Sequence, residues 1–237
     1  MVNVILNAGH GAGKKYNRGG LYYNEGDNNY LYSLVLKQEL ETYNGINVDL
    51  VRNKIEDNPP LAERHKFGEG YDLFMSIHSN GFRDETVQGT EVFDSVEKPN
   101  KQLAKMLCDS TAEFFNHRNR GVKYREGQKG FNWYAELRFN QAKSAMILEN
   151  GFHTNHEDCL TFKNQHKEIA EIQAREIASF YGLRKKEVIT YEKWKLDIVK
   201  EAHQKGLITD LEMWENNVND NMPVWAVLRV VLNGRKD

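Results

Sequence analysis

Three apolar runs along the chain stop abruptly at a residue able to do chemistry. Residues 2–7 lead into Ala8-Gly9-His10-Gly11, residues 71–77 into His78-Ser79-Asn80, and residues 145–148 into Glu149-Asn150-Gly151. Runs of this length, bounded by turn residues, predict strands buried on both faces. Helix-length segments with apolar residues near a 3.6 period lie between and after them, at about 27–43 (Tyr30, Leu31, Leu34, Val35, Leu40), 100–116 (Leu103, Ala104, Leu107, Ala112, Phe115) and 164–181. Gly45 and Gly182 are placed to close the first and last. Shorter strands are predicted over 48–52 and 88–94, and a short helix over 61–68 after the Asn58-Pro59-Pro60 break. Residues 11–23 read as a surface loop and 118–140 as loop plus short helix on a rim. The alternation predicts an α/β fold, a mostly parallel twisted sheet flanked by helices.

Past the charged joint Arg184-Lys185-Lys186-Glu187 the pattern changes. A helix at about 191–205, the turn Gly206-Leu207-Ile208 and a helix after Pro223 predict a small all-helical unit whose core is Trp194, Trp214 and Trp225. The expected organisation is one domain over 1–183 and a helical module over 188–237. So small a module gains by packing on a target or on a second copy of itself, a homodimer.

Composition narrows the function classes. A net charge of -2, from 32 basic and 34 acidic residues, supplies no electrostatic drive toward nucleic acid or an anionic membrane. No apolar stretch reaches the roughly 18 residues of a membrane span. Met1 leads straight into a strand with no basic segment or cleavage site, so an export signal is not expected. Cys108 and Cys159 are too few for a disulfide framework and read as small buried hydrophobes.

In open α/β sheets ligands bind outside the carboxyl ends of the strands, which is where the three runs deliver His10, His78 and Glu149. His10, Glu25 and His78 are the candidate ligands of one metal. Two imidazoles and a carboxylate suit zinc, whose catalytic sites keep one position open for a water of pKa about 7. Glu149 is the candidate proton carrier between that water and a leaving amine, a set that gives amide hydrolysis. Each residue also has a plainer reading. A strand-end histidine is more often a hydrogen-bonded structural residue, Glu25 suits the first turn of its helix, and Glu149 could pair with an arginine. The run His153-Thr154-Asn155-His156-Glu157 is expected to make solvent or rim contacts, and His65, His117, His166 and His203 to lie on the surface or a helix face. Arg52 and Arg64 fit buried ion pairing as well as substrate binding. Trp133 and Tyr134 could stack on a sugar or peptide or belong to the core.

The residues Asn7-Ala8-Gly9-His10-Gly11, Glu25, Leu61-Ala62-Glu63-Arg64, residues 74–80, Gly89-Thr90-Glu91, residues 119–123 and residues 148–155 together resemble the zinc-dependent N-acetylmuramoyl-L-alanine amidases of the amidase-3 type, in order over about 1–182. The resemblance implies one zinc on His10, Glu25 and His78, and Glu149 as the catalytic carboxylate. It implies peptidoglycan as substrate, cut at the amide between the lactyl group of N-acetylmuramic acid and L-alanine. Where many members read Glu-Leu-Gly-Phe, this chain reads Glu149-Asn150-Gly151-Phe152, similar to phage endolysins of Gram-positive hosts. The expectation is therefore a lytic enzyme held in the host cytoplasm until release onto the wall; a mother-cell lytic enzyme of sporulation fits the same features. A zinc peptidase of the stem peptide and a non-catalytic wall-binding protein are the alternatives. The module is expected to bind the wall or to self-associate.

Overall fold

A computed structural model of the chain describes residues 1–13, 19–186, 193–220 and 230–231. It divides into two compact units, Met1–Lys186 and Glu187–Asp237. In the first, β1 (Val2–Ala8), β2 (Ile46–Leu50), β3 (Leu73–Asn80), β4 (Thr90–Asp94), β5 (Asn119–Lys123) and β6 (Ser144–Phe152) form one sheet in the order β2-β1-β3-β6-β4-β5. Neighbours run parallel except β4, which is antiparallel to β6. The helices α1 (Glu25–Leu40), α2 (Lys101–Phe115), α3 (His156–Asn164) and α4 (His166–Phe180) complete the unit. This is the α/β architecture that the runs and their spacing predict.

Side chains alternate across a strand, so register decides which residues share a face. Val4, Leu6, Met75, Ile77, Val92, Met146 and Leu148 project to one side, where they pack with Leu36 and Leu40 of α1, Leu103 and Leu107 of α2, and Ile169 and Ile177 of α4. Ile5, Phe74, Ala145 and Ile147 project to the other, under a thinner cover that includes Leu137 and Ala142. Further along that second face the row turns polar: Asn7 pairs in register with Ser76, and His78 with Glu149, which in turn faces Glu91.

Several boundaries differ from expectation for identifiable reasons. β3 and β6 continue through His78 and Glu149 instead of ending at them, because those residues still bond in the ladder. The predicted rim loop contains β5, an edge strand too polar to announce itself. The predicted last helix is found as α4, and an unpredicted helix, α3, precedes it: Asn155 caps α3 by accepting from the Asp158 amide at 3.1 Å, and Gln165, at φ -122°, separates it from α4. α1 ends at Leu40, so Gly45 (φ +79°) serves the turn into β2 and does not close the helix. The joint is partly structured, with the Asn44 amide donating to Arg184 O at 2.9 Å and the Lys186 amide to Thr42 O at 2.7 Å.

The second unit holds α5 (Lys193–Gln204) and α6 (Leu211–Asn216), the latter capped by Asp210, which accepts from the Met213 amide at 3.0 Å. Among its described residues Ile208 is the buried apolar one, whereas Trp194, expected in the core, is 57% exposed. Of the helix expected after Pro223 only residues 230–231 are described, as helical, and Trp225 lies outside the described residues. Among the described residues no helix is long and apolar enough to cross a membrane.

Candidate active site

A cavity of about 670 Å³ opens at the carboxyl ends of β1, β3 and β6, lined among others by His10, Glu25, His78, Glu136, Glu149 and His153. Glu25, the first residue of α1, is buried and bridges the two candidate imidazoles: its Oε2 lies 3.1 Å from His10 Nε2 and its Oε1 3.2 Å from His78 Nδ1. The Ser79 amide donates to the same Oε1 at 3.1 Å. Burial alone would raise the Glu25 pKa, but hydrogen bonds from His10 and His78, and their charge, hold it well below the usual carboxylate range. The backbone cooperates. His10 sits in the left-handed region at φ +63°, held by Arg64, whose Nη2 donates to His10 O at 2.5 Å. Gly9 lies so close to the His78 ring that a Cβ there would fall 2.3 Å from its Cε1 and Nε2.

His10, Glu25 and His78 each offer one donor atom within 4.8 Å of the others. Two imidazole nitrogens and one carboxylate are a set that fits a catalytic zinc with an open position. Glu149, paired in register with His78, adds an unexplained polar atom: its Oε2 is enclosed and has no hydrogen-bond partner among the described residues. Burial pushes the Glu149 carboxyl up to about 8, against the pull of His78 and with the carboxylates of Glu25, Glu91 and Glu136 adding to the rise. A buried group left unsatisfied is costly and is retained where a ligand or proton completes it. The arrangement can hold a cation, and it can move a proton beside it.

Residues 4–179 match the family of N-acetylmuramoyl-L-alanine amidases called Amidase_3. The chain belongs to this family. The amidase is a hydrolase of peptidoglycan amide bonds. No curated protein matches it significantly. Among solved structures it is similar to the catalytic domain of CwlV, an N-acetylmuramoyl-L-alanine amidase from Bacillus (Paenibacillus) polymyxa, with TM-score 0.67 and 24% identity over 78% of this chain and 100% of that one. It is similar to Cwp6 from Clostridium difficile at TM-score 0.68 and 24% identity, covering 75% of this chain but 29% of that larger one. The catalytic domain of the CD27L endolysin, which targets Clostridia difficile, superposes at TM-score 0.61 with 21% identity over 76% of this chain and 98% of that one. At these identities the likeness concerns the fold.

The amidase brings together all four residues that the sequence singles out and adds two it does not. His153, expected on the rim, is buried: its Nδ1 donates to Ser79 O at 2.8 Å and lies 3.8 Å from Glu25 Oε2. Glu136, in the irregular stretch after β5, lies 3.2 Å from His78 Nε2. Its partners at Asn7, Ser76 and Arg64 come from remote parts of the chain, and no spacing reports them. The arginines resolve as structural: Arg64 ties Glu136 to the Ala8 and His10 carbonyls, while Arg52 donates to Gly26 O at 2.7 Å and Ile55 O at 2.5 Å. His117 is not a surface residue either; its side chain is buried, with Nδ1 2.6 Å from Asp158 and Nε2 2.8 Å from Thr90. Trp133 stands exposed, with the guanidinium of Arg125, a residue that lines the cavity, 4.7 Å over its ring.

Proposed function

We propose that the amidase cleaves the bond between the lactyl group of N-acetylmuramic acid and L-alanine with one zinc held by His10, Glu25 and His78. The observation that carries this is the buried carboxylate of Glu25 bridging two imidazoles beside Glu149, whose enclosed Oε2 has no hydrogen-bond partner among the described residues. Zinc in such a set polarises a carbonyl and acidifies water. In this reading Glu149, as the carboxylate, accepts the proton of the attacking water at Oε2 and returns it to the leaving amine of L-alanine. Burial, with the carboxylates of Glu25, Glu91 and Glu136 adding to it, raises the proton affinity of Glu149, which suits a group that carries a proton between two steps. In this reading Arg125 and Tyr134, which line the cavity, form the wall on which the substrate lies, with Trp133 stacked under the Arg125 guanidinium.

The biological setting that agrees best is lysis of the wall of a Gram-positive host by a phage endolysin released from the host cytoplasm. The Asn150-Gly151 variant after Glu149 and the likeness to an endolysin's catalytic domain support it. The second unit is read as a wall-binding module, with self-association as its rival. The decisive experiment incubates purified walls with the full chain and follows new amino termini and new reducing ends. The expected result is L-alanine termini without reducing ends, abolished by Glu149→Ala and by a chelator. Termini of another residue overturn the bond assignment in favour of a stem peptidase. Bound walls without product overturn catalysis altogether.

A further inference from the structure

Glu136 is a carboxylate 3% exposed, and burying such a charge is expensive unless every lone pair is used. Here the use is complete. Oε1 accepts from Asn7 Nδ2 at 3.0 Å and faces Arg64 Nη1 at 3.5 Å, while Oε2 accepts from Ser76 Oγ at 2.7 Å and faces His78 Nε2 at 3.2 Å. Asn7, Ser76 and His78 belong to the same sheet face, and Arg64 reaches in from the turn over 61–68. A purely structural ion pair would need only Arg64. What remains to be explained is why the second oxygen is aimed at the far nitrogen of an imidazole whose near nitrogen, Nδ1, points at Glu25.

Imidazole chemistry supplies the reason. The neutral ring carries one N–H, and the nitrogen that donates to a metal must be the other one. For Nδ1 to be that donor the proton must sit on Nε2, where a fixed acceptor holds it. Glu136 Oε2 is that acceptor. Gly9 leaves the ring no room to retreat from this position. We propose that Glu136 is a positioning residue that fixes His78 as the Nε2–H tautomer and so presents Nδ1 to the metal, with Asn7, Ser76 and Arg64 holding the carboxylate in place. The inference rests on the zinc reading of the site and deepens it.

The test uses the full chain freed of metal and reloaded with zinc. Nitrogen-15 correlation spectra of the zinc-loaded protein report which nitrogen of His78 is protonated, and this readout needs no variant of Glu136. Chelator competition then compares zinc affinity of the wild type with Glu136→Gln and Glu136→Ala, and thermal melts of the metal-free proteins register any general loss of fold. The expected results are an Nε2–H tautomer in the wild type and a 10- to 100-fold weaker zinc affinity in Glu136→Gln, the range typical of lost outer-shell partners. His78 bound through Nε2, or Glu136→Gln binding zinc as tightly as wild type, overturns the role of Glu136 and leaves the metal site standing. A wild-type chain that takes up no zinc overturns the metal reading itself.

Discussion

The two faces of the central sheet are built from alternate residues of the same strands and have opposite characters. Met75 and Ile77 turn into a dry layer beneath α1, α2 and α4, while Ser76 and His78 turn toward an assembly of carboxylates, imidazoles and a guanidinium. The dry face is held by area and shape, and any well-packed apolar set could serve there. The polar face is held by mutual satisfaction: Glu91 answers Asn80, Arg120 and Lys123, Glu136 answers Arg64, and Glu25 answers two histidines. Of these four carboxylates, Glu149 is the one with a buried oxygen that has no partner among the described residues, and it sits in the middle of that row. Stability and chemistry are thus separated by a single residue of strand register.

Substitutions can sharpen that contrast. The largest effect is expected at Glu149→Gln, which removes the proton carrier without changing shape. Turnover of wall substrate should fall about 10²–10⁴-fold while zinc stoichiometry, read by elemental analysis, stays unchanged. On the dry face Leu6→Ala should cost about 2–5 kcal/mol in denaturant unfolding yet leave turnover per folded molecule intact. A fall in turnover there would break the separation between the faces. Gly9→Ala is intermediate. Its backbone angle accommodates alanine, but the new Cβ meets the His78 ring, an overpacking worth about 1–3 kcal/mol that should appear as weaker zinc binding in chelator competition.

The smallest effect concerns a titrating group on the helical side. His166 lies against Tyr32 and Phe162, and burial depresses its pKa to about 4. The unfolded chain, with an ordinary value near 6.5, therefore binds more protons than the folded one between about pH 4 and 6.5. The contribution of His166 is complete above that window and is lost as pH falls through it. His166→Gln should flatten the stability profile across the window, measured by urea unfolding at each pH.

Much of this was legible in the residue order because burial on both faces leaves consecutive apolar residues. Val4-Ile5-Leu6 and Met146-Ile147-Leu148 announce interior strands, and the polar residue that follows each run announces where the site begins. The antiparallel entry of β4 beside β6 was not legible, since a short strand carries no mark of direction. β5 was missed because an edge strand such as Asn119-Arg120-Gly121-Val122-Lys123 satisfies only one apolar position. Glu136 and His153 escaped for a deeper reason: each reaches the site through partners more than fifty residues away, and no local period encodes that.

His10 illustrates a tension between folding and use. Its backbone angle suits glycine, and an imidazole there carries a cost on the order of 1 kcal/mol or more. Drift toward glycine at this position would relax the turn and at the same stroke remove one of the three donors of the proposed zinc site. On the zinc reading, a chain that lost this histidine would be a retired catalyst while its fold still looked unchanged.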